Sequence, residues 1–172
     1  MEQREKRINT WALALGIAAM PPLWAVLAPY VGVTCGAVAL ICAGLFVANG
    51  NKYADTLKIS IGFLLGDAWA VLALLVMDQM PWNPDVELYV TLFVMGGVAV
   101  LVSSALEKFI FLPAWLCGWA VGLTILAPVG YGNLGSLPVQ IGAAMLAGVI
   151  YVGIGVDVFQ RKLVGFLSKK QK

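Results

Sequence analysis

Residues 8–51, INTWALALGIAAMPPLWAVLAPYVGVTCGAVALICAGLFVANGN, hold no Asp, Glu, Lys or Arg over 44 positions. A helix crosses bilayer hydrocarbon with about 20 apolar residues, each rising about 1.5 Å. The stretch is therefore long enough for two crossings, and Pro29-Tyr30-Val31-Gly32 marks the turn between them. Four more apolar runs follow, at 57–77, 87–106, 109–127 and 138–158. They are continuous and lack the alternation that a barrel strand requires. The chain reads as an all-α polytopic membrane protein of six transmembrane helices in a single membrane domain. A first three-helix half covers 1–77, a second covers 87–160, and a basic tail follows at 161–172.

Composition agrees. Of 172 residues, 61% are hydrophobic and 12% charged, and the mean hydropathy is +0.90. A soluble domain is about 45–50% apolar and about 25% charged, so too few charges exist here to cover a soluble globule. That excludes a soluble enzyme, a nucleic-acid binder and a disordered tail. The 19 glycines have no fixed period and there are 3 cysteines, which excludes collagen-like and disulfide scaffolds.

The charges give the orientation. All 11 basic residues fall in the N-terminal tail, in the connections after spans 2 and 4, and in the C-terminal tail. The other connections carry none, and residues 78–87 are acidic and interrupted by proline. The positive-inside rule places both termini in the cytoplasm. Trp11, Tyr30, Trp82, Tyr89 and Tyr131 sit near span ends, where amphipathic rings favour the headgroup layer. The first span is longer than a signal-peptide core and lacks a small-residue cleavage site. It reads as a retained helix kinked at Pro21-Pro22. The tail from Gln160 to Lys172 is either an amphipathic helix on an anionic inner leaflet or a solvated stop-transfer tail.

The two halves resemble each other. A shift of 82 residues places Cys35-Gly36 on Cys117-Gly118, Gly50-Asn51 on Gly132-Asn133, and Gly66 on Gly148. Eight identities occur over residues 31–75, and the paired dipeptides are harder to obtain by chance than single apolar matches. Spans 1–3 map onto spans 4–6, so the expectation is a 3+3 inverted repeat, as in transporter and channel folds. Gly62-x-x-x-Gly66 falls on Ala144-x-x-x-Gly148, and Gly118-x-x-x-Gly122 lies in span 5. Small residues four apart let helix backbones approach closely in lipid. Spans 3 and 6 are thus expected to pack on the pseudo-twofold axis, against each other or a neighbouring subunit.

Asp67 is the sharpest candidate for chemistry, near the centre of span 3. A carboxylate at that depth costs about 2.5–3.5 kcal/mol on the insertion scale. It marks a substrate, cation or proton site, or else a neutral Asp bonded between helices. Ser60 lies two turns earlier on the same face. Ser103, Ser104, Thr124 and Gln140 are candidates to line the same path, although Ser and Thr also bond their own helix backbone. The helix breaks ending in Asn51 and Asn133 either line a cavity or are ordinary interfacial connections. Trp69, Trp115 and Trp119, with Tyr151, either constrict a path and stack on a cation or simply pack. Cys35, Cys42 and Cys117 read as small apolar residues, and with no His in the chain neither a metal nor a cofactor is expected. No P-loop, dinucleotide fingerprint or Ser-His-Asp set is present, so the chain does not read as an enzyme.

Several stretches carry a family resemblance. They are Leu15-Gly16-Ile17 with Trp24, the Gly-Asn-rich break after span 2, Ile59-Ser60 leading to Leu64-Leu65-Gly66 and Trp69-Ala70, Phe111-Leu112-Pro113 into Gly118, and the small-residue span 6. With these the chain resembles a small bacterial inner-membrane family, domain of unknown function 1097. The resemblance implies a multi-pass protein of the bacterial inner (plasma) membrane and assigns no activity.

Three functions compete. The first is a channel or facilitator for a small, mostly uncharged polar solute. The second is a proton- or cation-coupled secondary transporter using Asp67. The third is a membrane scaffold or assembly subunit. The expected partners are the lipid bilayer, a small-molecule or ion solute, and further copies of the chain, with no nucleic acid. The glycine faces predict a homo-oligomer. Native mass spectrometry in mild detergent should show it, and a monomer there would refute it.

Overall fold

The computed structural model describes residues 2–169, and every regular element among them is helical. Lys170 and Lys172 of the basic tail lie outside the described residues. The elements are α1 (Glu2–Leu27), α2 (Val38–Ala48), α3 (Thr56–Asp78), α4 (Pro84–Ala105), α5 (Leu112–Leu126), α6 (Leu137–Ala147) and α7 (Gly155–Lys169). A π-helical stretch, Gly148–Ile154, joins α6 to α7 without a break. Single turns of 3-10 helix stand at Ala28–Val31, Tyr53–Asp55 and Tyr131–Asn133.

Among the described residues, four helical segments are long and apolar enough to cross a membrane: Lys6–Val31, Tyr53–Asp78, Pro84–Ala105 and Leu137–Phe166. The second and fifth runs form shorter apolar helices of 11 and 15 residues. Both fall short of the about 20 residues of a full crossing. Turn-like backbone replaces the first residues of the second run, and Gly50 and Gly130 take positive φ beyond the two helix ends. Local chemistry sets the other boundaries. Asn83 caps α4, its side chain accepting from the Asp85 amide at 2.9 Å, with Pro84 in the first turn. Pro113 and Pro138 likewise sit in the first turns of α5 and α6. In α1 one helix runs through Pro21 and Pro22.

Glycine backbones hold the bundle together. A Cβ on Gly66 would stand 2.3 Å from the Trp115 carbonyl oxygen, and one on Gly118 would stand 2.5 Å from the Phe63 carbonyl oxygen. Gly62 meets Phe111 and Ala114, while Gly122 meets Ala70. These pairs advance together along both helices, so α3 and α5 are parallel. Gly148 makes the corresponding approach to α2, where a Cβ would stand 2.3 Å from the Ala39 carbonyl oxygen. Gly153 lies against the buried ring of Phe46. The second helix and the π-helical stretch are therefore also parallel. The glycine faces of spans 3 and 6 thus do not meet each other, as the sequence suggested. They serve α5 and α2, because those helices supply the small-residue or bare-backbone surfaces. Helices α3 and α6 still touch, at Leu64 and Gly142.

Burial is paired between the halves. The apolar windows of the segments Lys6–Val31 and Pro84–Ala105 are 17% and 22% buried, whereas those of Tyr53–Asp78 and Leu137–Phe166 are both 50% buried. α1 and α4 are peripheral and α3 and α6 central. α1 packs antiparallel on α7, with Gly16 against Val156 and Phe159.

A methyl at Gly66 has nowhere to go. Gly66→Ala should cost about 3 kcal/mol or prevent folding, the upper end for overpacking. Gly97, which has nothing within 4 Å of its Cβ position, should accept Ala with little change. Thermal unfolding of the two variants in one detergent separates them, and equal melting temperatures would contradict the packing.

Candidate functional site

Asp67 is the middle residue of the 23 in α3. It is 7% exposed and faces two glycines on different helices. Its Oδ1 lies 3.4 Å from the Cβ position of Gly122 on α5, and its Oδ2 lies 3.7 Å from that of Gly142 on α6. The missing side chains make the room for the carboxyl group. Its Oδ1 is fully buried and has no hydrogen-bond partner. Asp67 also lines an open groove of about 600 Å³ between α3 and α6. The other walls are apolar: Leu64, Ala68 and Val71 of α3, and α6 from Pro138 and Val139 to Leu146.

The remaining candidates divide by location. Ser60 is buried near the start of α3, and its Oγ lacks a partner. Trp69 is half-buried, donates from Nε1 to the Met95 carbonyl at 3.2 Å, and stands edge-on to Trp115 at 5.3 Å between centroids. Trp115 and Trp119 are buried between α3, α4 and α5, and neither indole N–H has a partner. Tyr151 lies apart from them, tilted against Trp24. Ser103 is buried but donates to the Val100 carbonyl of its own helix. Thr124 is exposed and donates to Ala120, and Ser104 is exposed. Asn133 is exposed and donates to Val129. Gln140 ties two segments: its Oε1 accepts from the Thr34 amide and hydroxyl, and its Nε2 donates to Ser136.

At the two helix breaks the amides turn back into their own helix ends. Those of Asn49, Gly50 and Asn51 bond Leu45, Val47 and Phe46, and that of Gly130 bonds Leu126 and Ala127. Asn51, with φ of 53°, instead projects its side chain toward α7. Its partner there is Asp157, a buried carboxylate that the sequence reading passed over. Asn51 Nδ2 donates to Asp157 Oδ1 at 3.3 Å, and the Tyr53 hydroxyl donates to Oδ2. Arg161 Nε donates to the same Oδ2 at 2.8 Å, and its guanidinium lies 5.3 Å from the centroid of the Tyr53 ring. The spacing of Asp157 and Arg161, four apart on a helix, was the available signal. Beside this clasp, Asp55 accepts from Asn49 at 2.8 Å and pairs with Lys58 at 3.0 Å.

Asn9 near the start of α1 meets Gln160, and the Phe111 amide meets the Lys58 carbonyl. The α1 start, the 49–58 connection, the α4–α5 connection and α7 therefore share one end of the bundle. That is the end where the described basic residues lie. Thr34, Ser136 and Gln140 occupy the other end.

Among the described residues, buried polar atoms without partners lie on α3, α4, α5 and the connection after α2, where Asn51 Oδ1 is one and Thr56 Oγ1 opens α3. Besides Asp67 they include Ser60 Oγ, Thr91 Oγ1 and the indole N–H groups of Trp115 and Trp119. Thr91 had no distinguishing signal in sequence, being one Thr in an apolar run. Buried polar atoms of this kind are normally met by water or a ligand.

The clasp and the Asp67 site differ in kind, and that is testable. Tyr53→Phe removes one donor to a buried carboxylate and should cost about 1.5–3 kcal/mol of stability. Thermal unfolding in detergent reads it directly, and an unchanged midpoint would show that the clasp carries no load.

Residues 14–160 match the model of a family described as protein of unknown function (DUF1097). No curated protein matches the chain, and no solved structure matches it.

Proposed function

The chain belongs to the DUF1097 family, and on that premise we propose that it is a proton- or cation-coupled transporter whose path runs past Asp67. Asp67 carries the reading. A mid-helix carboxylate is costly in lipid, and among the described residues no donor meets its Oδ1. The clasped Asp157 shows how the same chain treats a carboxylate with a structural role.

The walls of the groove favour this reading over a facilitator for uncharged polar solutes. Such a solute needs several convergent polar groups, whereas Ser103, Ser104, Thr124 and Asn133 bond their own helices or face outward. The facilitator keeps one support, the short broken second and fifth helices, which are common in repeat-built transport folds. A scaffold gains nothing from a buried, unpartnered carboxylate.

The reading includes six crossings in a 3+3 inverted repeat. Its supports are the paired burial of the helices and the matched approaches of Gly66 and Gly148 to parallel neighbours. It places the protein in the bacterial inner membrane with both termini cytoplasmic, by the segregation of basic residues. Self-association falls to the peripheral helices α1 and α4, since Gly62, Gly66, Gly118 and Gly148 are occupied within the protomer. No chemical step and no cofactor enter the reading.

Reconstituted protein in liposomes, screened with small amines, amides and acids under a pH gradient, tests it. Solute-dependent flux should appear and fall by about tenfold or more in Asp67→Asn, as loss of a desolvated charge contact requires. Unchanged coupling in that variant, or no flux for any solute, would overturn the proposal.

A further inference from the structure

We propose that the groove between α3 and α6 binds an organic cation with an apolar body, an amine or onium, reached from the lipid rather than from water. The inference deepens the transport reading of Asp67 by naming the class of solute.

Charge comes first. Asp67 is the one charged residue on the groove, and the described salt bridges, Lys58 with Asp55 and Arg161 with Asp157, belong to the basic end. An anion meets an unfavourable field there. A neutral polar solute finds a single polar group. A cation finds the carboxylate of Asp67, whose Oδ2 lies on the Gly142 side where the groove runs.

The chemistry of the walls decides which cation. Calcium takes 6–8 oxygen ligands, and magnesium keeps several waters around itself. The groove offers one carboxylate; its other walls are apolar side chains. The nearby amide of Gln140 is already committed to Thr34 and Ser136. The groove measures about 600 Å³, within the range of about 300–1,000 Å³ for sites that hold whole organic molecules. An apolar body on Leu64, Val71 and Val139, with its positive centre at Asp67, satisfies both features.

Geometry supplies the entrance. Asp67 is at the middle of α3, so the groove lies at mid-depth of the span, and Val139 on its rim is 75% exposed. Gly142 stands between the rim and the carboxylate. A Cβ there would lie 3.2 Å from Leu64 Cδ2 and 3.7 Å from Asp67 Oδ2. The glycine keeps the last step to the charge open.

Equilibrium binding of radiolabelled tetraphenylphosphonium to the full-length protein in mild detergent tests the assignment. Saturable binding is expected, displaced by alkyl quaternary ammonium ions and not by equal concentrations of potassium or magnesium. Asp67→Asn should weaken it about tenfold or more. Ala68→Phe, at an exposed position on the groove wall, should weaken it as well while leaving the carboxylate and the helix packing in place. Displacement by potassium or magnesium would overturn the assignment, as would binding unaltered in both variants. Asp67-dependent binding without Asp67-dependent flux would uphold the assignment and remove the transport reading. Flux without binding would do the reverse.

Discussion

Backbone-to-backbone approach through glycine is the constraint from which the rest follows. In lipid the surrounding tails are as apolar as the side chains, so helices gain little from burying Leu or Val against each other. Dispersion contact and close backbone approach decide instead which helices associate. Gly62, Gly66, Gly118 and Gly122 bring α3 and α5 into parallel contact, and Gly148 brings the π-helical stretch onto α2. That arrangement leaves α1 and α4 at the edge and puts Asp67 at the meeting of three helices. The glycines that let the helices close also leave the space that its carboxyl group occupies.

The two buried carboxylates show two solutions to one problem. Asp157 receives Asn51, Tyr53 and Arg161, and the connection after α2 is thereby fastened to α7. The π-helical stretch contributes, because a turn with extra residues changes the direction of every side chain beyond it. Asp157 follows that stretch by three residues. Asp67 receives no donor at Oδ1 and opens on an apolar groove. One group is part of the fold's fastening, and the other borders the groove without a donor at Oδ1.

Much of the helical layout is legible in the apolar runs. α3 spans Thr56–Asp78 where 57–77 was expected, and α4 spans Pro84–Ala105 where 87–106 was expected. The second and fifth helices are shorter than their apolar runs, because apolar composition does not distinguish helix from an apolar turn. The small-residue pairs were readable as points of close approach, but not which helix each would meet. Among the polar candidates, Asp67 stands out in the sequence because it is a carboxylate in the middle of an apolar run. Ser103 and Thr124 bond within their own helix, an outcome open to any membrane Ser or Thr. Asp157 was missed because it falls at a span end, where a charge is unremarkable until its neighbours are known.

Residue order alone gives the apolar runs that suggest a membrane protein, the segregation of basic residues to one set of connections, and a carboxylate in the middle of an apolar run. Those properties depend on counts and spacing along the chain, and the bilayer reads them one segment at a time. Three-dimensional packing settles which glycine meets which backbone, which carboxylate has its donors, and where an apolar groove borders a charge. Those depend on atoms far apart in sequence, such as Gly66 with Trp115, Asn51 with Asp157 and Asp67 with Gly142. Short-range contacts fall off within a few ångströms, so only the folded arrangement can assign them.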